Sequence, residues 1–125
     1  MDRPDMAAWA ALCLLPFALM GSKAGAERDR APAPVTHTVE IRDMAFHPAE
    51  LQVRAGDTIV WVNHDFVPHT ATAPDSAWTS PPLEQGDRWS RLVPQDPGGL
   101  YLCAFHRTME GRISVESDPP DQLAR

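Results

Sequence analysis

The sequence predicts an all-β fold, a β-sandwich of short strands. Three observations carry this. Apolar residues in the middle of the chain alternate with period two. Gly-, Pro-, Asn- and Asp-containing turns punctuate these runs at short intervals. No long stretch with helical periodicity follows the first 26 residues.

Each strand is read from its own pattern. In "HTVEIR" Val39 and Ile41 share a face, and in "ELQVR" Leu51 and Val53 do the same. "DTIVWVN" places Ile59, Trp61 and Asn63 on one face and Val60 and Val62 on the other. "HPAE", "AGD", "QGD" and "DPGG" are the turns between runs. Strands are expected over 36–42, 50–54, 57–63, 69–73, 87–92, 99–104 and 111–116. A single helical turn is expected near Ser76 to Trp78, and Met44 and Phe46 are expected to alternate toward the core.

The ends read differently. Residues 6–22 carry no charge, are rich in Ala and Leu, and are interrupted by Pro16. The run is short for a membrane span and fits the apolar core of a signal peptide. "AGA" at 24–26 offers small residues to a peptidase, so residues 1–26 are expected to be a signal peptide cleaved after Ala26. An uncleaved anchor is the alternative. Residues 27–35 form a polar, Pro-rich, flexible lead-in, 36–116 the domain, and 117–125 a tail. About a hundred residues remain after cleavage, enough for one core.

The chain carries a formal charge of -6 with no Lys/Arg run. That balance argues against nucleic acid as a partner. After cleavage one cysteine is left, Cys103. Exported chains usually pair their cysteines, so an odd one points to an intermolecular bridge, a reactive thiol or a metal ligand. A buried inert thiol is the plain alternative.

The surroundings of Cys103 favour a metal. In "YLCAFHRTMEG" His106 follows three residues after Cys103 and Met109 three after that. Thiolate, imidazole and thioether are soft or borderline donors that together suit copper. Two histidines and a cysteine with a weak methionine form the blue-copper donor set, so a second histidine must come from upstream. "WVNHDFVPHT" offers His64 and His69. His69 follows Pro68 at a strand start and is the expected ligand. His64 lies in the turn after a strand and is expected at the surface, and His37 and His47 are expected to be surface or edge residues.

From about Thr36 to Glu116 the chain resembles the small cupredoxins of the plastocyanin/amicyanin kind. "MAFHPAELQVRAGDTIVWVN" is similar to that family's early strands, "VPH" to its first ligand, "GGLYLC" to the strand entering the site and "CAFHRTMEGRISV" to its ligand loop and last strand. The C-x-x-H-x-x-M spacing is that of the short amicyanin loop. The resemblance implies a Greek-key sandwich, one type 1 copper on His69, Cys103, His106 and Met109, and electron transfer between larger redox proteins. It implies no enzyme activity and no small-molecule substrate. Donor and acceptor proteins would dock near Phe105, His106 and Arg107, on a monomer exported to the periplasm.

Two positions depart from the family. Its members usually carry Asn after the first histidine and Ser or Thr after the cysteine, residues that tie the two ligand segments together. Here they are Thr70 and Ala104, and Ala104 has no hydroxyl to offer. Arg107 stands where amicyanins tend to have Pro. A weakened outer shell leaves room for a different function, a copper carrier or chaperone with the same fold. An enzyme module, one domain of a copper oxidase or nitrite reductase, would need a second domain and further histidines.

Overall fold

The computed structural model describes residues 32–116. The expected signal peptide and cleavage position, most of the expected lead-in and the expected tail lie outside the described residues. Seven strands form two sheets, and no helix occurs among the described residues. They are β1 (Thr36–Arg42), β2 (Ala45–His47), β3 (Glu50–Val53), β4 (Thr58–Asn63), β5 (Arg88–Leu92), β6 (Leu100–Leu102) and β7 (Glu110–Val115). One sheet has the order β2-β1-β4-β5 and the other β3-β7-β6. β1 runs parallel to β4, and β3 runs parallel to β7. Parallel neighbours need a crossover connection, and the chain supplies it by switching sheets at β3.

The period-two pattern has its physical counterpart. Val39 and Ile41 of β1, Ile59 and Trp61 of β4, Val53 of β3 and Ile113 of β7 are all buried in the core between the sheets. Burial of a large apolar side chain contributes about 1.5–3 kcal/mol, so this alternation is what holds the sandwich closed. Trp61 stands edge-on to Tyr101, 5.5 Å between centroids, and Phe46 stands edge-on to Tyr101 at 4.7 Å. Trp78 and Trp89 stack at 6.3 Å beside them, and the Arg91 guanidinium lies 4.2 Å from the centre of the Trp78 ring. β6 thus enters the site with Tyr101 wedged among aromatic rings.

Four expectations need correction. Residues 69–73 form no continuous strand. Instead His69 bridges to Leu83, and Thr72 bridges to both Thr79 and Leu102. The segment shares its backbone bonds between several partners and so builds no single ladder. The sequence pattern predicts no strand at β2. It is three residues long and exists through its antiparallel pairing with β1. Residues 76–78 are bends, without a helical turn. Met44 is exposed and left-handed, with φ 58°, because Asp43 and Met44 are the two central residues of the tight β1–β2 turn. Such a turn requires positive φ at both positions. Phe46 is buried as expected.

His37 is half-buried, and its Nε2 lies 2.9 Å from Asp57. Asp57 also accepts the N–H groups of Val35 at 2.9 Å and Arg54 at 3.0 Å, and so fastens the start of β1 to the turn before β4. The bonds from Val35 and Arg54, then that from His37, hold its carboxyl down at about 2. An ordinary aspartate titrates near 3.9. A depressed folded value stabilises the fold at pH above the ordinary value, and the contribution is lost as pH falls through the folded value. Asp57→Asn is therefore expected to lower stability at neutral pH, with the gap from the parent closing between about pH 4 and pH 2. Thermal melts across that range check this; a constant gap would rule out the Asp57 carboxylate as its source.

Candidate metal centre

Pro68 ends the loop after β4 and delivers His69 to a two-way backbone bridge. His69 N donates to Leu83 O at 3.1 Å, and Leu83 N donates back at 2.8 Å. The loop itself is built on Asn63. Its buried amide donates to Val67 O at 2.9 Å and Leu83 O at 2.7 Å, while its oxygen accepts Asp65 N at 2.9 Å. A buried side chain with these polar groups satisfied fixes the backbone around it.

Cys103 arrives from the other sheet, just beyond β6. Its N–H donates to Met109 O at 3.1 Å, and Met109 N donates to His106 O at 2.9 Å. These bonds close the loop between β6 and β7. The structure brings Cys103, His69 and His106 to one point. The Cys103 Sγ lies 3.7 Å from His69 Nδ1 and 3.8 Å from His106 Nδ1. All three donor atoms lie within 4.8 Å of one another. His69 and Cys103 are fully buried and His106 half-buried. Met109 is buried in the same cluster of side chains as Cys103.

The spacing is informative. Sulfur–nitrogen distances near 3.7 Å are long for strong hydrogen bonds. They suit a metal between the atoms at about 2.3 Å from sulfur and 2.0–2.1 Å from nitrogen, taking zinc bond lengths as a guide. The donors are of the soft and borderline kinds that copper takes.

No motif in the sequence marks Asp65, yet it organises the first histidine. Its Oδ2 lies 2.8 Å from His69 Nε2, the ring nitrogen that faces away from Cys103. The same carboxylate accepts Asp43 N at 2.9 Å and Met44 N at 3.0 Å. It therefore clamps the β1–β2 turn to the ligand loop. Burial works against its charge, but the bonds from Met44, His69 and Asp43 outweigh it and lower its carboxyl below the ordinary value. A carboxylate on the remote nitrogen leaves Nδ1 as the donor and fixes the ring, as carboxylate–histidine–metal groupings do.

The expected loss of the tie between ligand segments is corrected. Thr70 Oγ1 accepts the backbone N–H of Ala104 at 2.8 Å. The tie needs no hydroxyl at Ala104, only its backbone. Thr70 N also faces the Cys103 sulfur at 3.5 Å. The other histidines stay apart: His64 is exposed and lies 3.7 Å from Glu40, and His47 Nε2 donates to Arg42 O at 3.2 Å.

Comparison with known proteins agrees with this geometry. Residues 33–116 match the model of the copper binding proteins of the plastocyanin/azurin family. Amicyanin from Paracoccus denitrificans is 28% identical over 83 residues, 62% of this chain and 63% of that protein. The chain thus spans less than two thirds of that relative. Among solved structures, the purple cupredoxin from Nitrosopumilus maritimus is 27% identical with a TM-score of 0.58, covering 64% of this chain and 99% of that one. The copper-containing nitrite reductase from Thermus scotoductus SA-01 is 28% identical with a TM-score of 0.60, covering 72% of this chain but only 24% of that one. A family model spanning the whole described sandwich, over donors set at metal spacing, decides the matter: this chain belongs to the plastocyanin/azurin family of copper binding proteins.

Proposed function

We propose that the protein is an exported mononuclear blue copper protein that shuttles single electrons between larger redox proteins. One copper would be held by His69, Cys103, His106 and Met109. The observation that carries this reading is the buried Cys103 thiol with two imidazole nitrogens at 3.7 and 3.8 Å. Bound copper would supply a one-electron couple. Cys103 would bind as the thiolate, the two rings as neutral donors, and Met109 as the weak fourth ligand. Four protein donors leave no open position of the kind a catalytic metal keeps, so the site would pass electrons and do no substrate chemistry.

The chain's part is to hold the donors still and keep water out. Asn63, Asp65 and Thr70 fix the ligand segments by hydrogen bonds, and His69, Cys103 and Met109 are closed off from solvent. A site that does not rearrange passes an electron with little reorganisation. His106, the half-buried ligand, is the electron port in this reading. Phe105 beside it is exposed, as are Phe66 and Val67 just before His69 and Met44 on the clamped turn. Such apolar groups suit the small contact areas of transient redox encounters. Arg107, also exposed, adds a positive charge at the port, which steers partners of the opposite sign. Periplasmic location rests on the leader read in residues 1–26. A copper carrier would be favoured by loosely tied ligand segments; the Thr70–Ala104 bond ties them together.

The test is the visible and EPR spectrum of the copper-loaded protein with its voltammetry. The expected result is an intense thiolate-to-copper band and reversible one-electron reduction. His64→Ala should leave the spectrum intact, and His69→Ala should change it grossly. A colourless copper-loaded protein, or sensitivity at His64 in place of His69, overturns the ligand set.

A further inference from the structure

Three threonine hydroxyls form a chain that ends at the metal centre. Thr70 Oγ1 lies 2.8 Å from Thr72 Oγ1, which lies 2.8 Å from Thr79 Oγ1. Taken singly, neither contact has a fixed direction. The two ends fix it. At the outer end the Thr79 hydroxyl donates to Ser80 O at 2.9 Å. A hydroxyl has one proton, so Thr79 can only accept from Thr72. The Thr72 proton is then committed, and Thr72 accepts from Thr70. At the inner end Thr70 Oγ1 accepts the Ala104 N–H at 2.8 Å. Each hydroxyl gives one bond and receives one, all in the same sense, an arrangement in which neighbours polarise one another.

The chain also joins the pieces that must converge. Thr72 exchanges backbone bonds with Leu102, 2.9 and 2.8 Å, on the strand that leads into Cys103. Ser80 N donates to Ala71 O at 2.8 Å, and Ser80 Oγ accepts Ala71 N at 2.9 Å. Thr70 and Thr72 are buried, so water cannot replace a lost partner. A buried hydroxyl left without one costs about 1–3 kcal/mol.

We propose that Thr72 and Thr79 are positioning residues of the metal centre. Their hydroxyl chain obliges Thr70 to present its oxygen to the Ala104 N–H. It thereby holds the Thr70 N–H toward the Cys103 sulfur at 3.5 Å. Hydrogen bonding around the sulfur is one of the levers on the potential of a blue copper site. A donor facing the thiolate draws charge from it and favours the reduced metal. This step rests on the copper reading above; the chain itself does not.

Thr72→Val keeps the shape of the side chain and removes the hydroxyl. In the metal-free protein, amide hydrogen exchange at Ala104 is expected to accelerate while the β4 amides keep their parent rates. With copper bound, the reduction potential is expected to fall and copper loss to a chelator to quicken. Thr72→Ser should restore all three. Thr79→Ala, at the exposed end of the chain, should act in the same direction more weakly, and it decides the matter if the valine variant does not fold. Parent-like Ala104 exchange and potential in Thr72→Val, or failure of the serine to rescue, overturns the proposal. A parent protein that takes up no copper sinks the copper reading alone, since Ala104 exchange still decides the hydroxyl chain.

Discussion

Cys103→Ser is expected to abolish the blue colour and most of the copper affinity while leaving the sandwich folded. The intense band of a blue copper site belongs to the thiolate–copper bond, which a serine hydroxyl cannot form. Serine stays protonated at neutral pH, so the centre also loses its only anionic donor. Changes to groups one step removed from a metal already cost about 10–100-fold in affinity, and loss of a direct donor should exceed that. The fold should tolerate the change. The hydroxyl is smaller than the thiol and fits the same space, and Thr70 N, now facing Cys103 at 3.5 Å, remains a donor near it. The expected stability cost is at most that of an imperfectly bonded buried hydroxyl, about 1–3 kcal/mol. The measurement pairs the visible spectrum with a far-ultraviolet melt. A blue serine variant would remove Cys103 from the ligand set. A variant that neither folds nor binds would show that the thiol is chiefly a core group, the plain alternative for a lone buried cysteine.

What the sequence could show of the fold followed from how local each pattern is. β1 lies where the alternation of Val39 and Ile41 puts it, and β4, β5 and β7 differ from expectation by a residue or so at an end. Those strands are long enough for the period to declare itself. β2 is three residues after a tight turn, too short to carry a period, and only its pairing with β1 makes it a strand. Residues 69–73 read as a strand yet are buried throughout and belong to no single ladder, because their backbone partners come from Leu83, Thr79 and Leu102 in turn. Alternation reports burial on one side. It does not say how many neighbours share the hydrogen bonds.

The site divides along the same line. Cys103, His106 and Met109 lie within one short loop, so spacing alone makes them visible as candidate ligands. His69 is legible as a candidate because Pro68 fixes the backbone before it. Asp65 is not, since its bonds reach four residues forward to His69 and more than twenty back to Asp43 and Met44. The Thr70–Ala104 link is hidden in the sequence for a different reason. Counting side-chain donors at Ala104 overlooks that every residue but proline has a backbone N–H, and here that group makes the bond.

Gly111→Ala is expected to destabilise the domain strongly and to disturb the metal centre from a distance. Gly111 pairs directly with Tyr101 across β6 and β7, and the Tyr101 ring lies over it. A Cβ built at Gly111 would fall among the ring carbons and hydroxyl of Tyr101, well inside contact distance. The backbone at Gly111 is not left-handed, so the demand is for space and not for conformational freedom. The ring has nowhere to go, with Phe46 4.7 Å, Trp61 5.5 Å and Trp78 6.0 Å from it between centroids. Overpacking a core usually costs about 1–3 kcal/mol, and a clash with a fixed aromatic belongs at the upper end. A loss of about 3 kcal/mol lowers the melting temperature of a domain this size by roughly 12–24 °C. Because Tyr101 stands two residues before Cys103, displacement of β6 should also move the sulfur and broaden the visible band of the copper form. A double-mutant cycle isolates the cause. In a Tyr101→Ala background the space over Gly111 is open, and Gly111→Ala should then be nearly neutral. If the single variant melts within about 0.5 kcal/mol of the parent, as a surface substitution would, Tyr101 does not need that glycine. If the penalty persists without the ring, the clash is not its source.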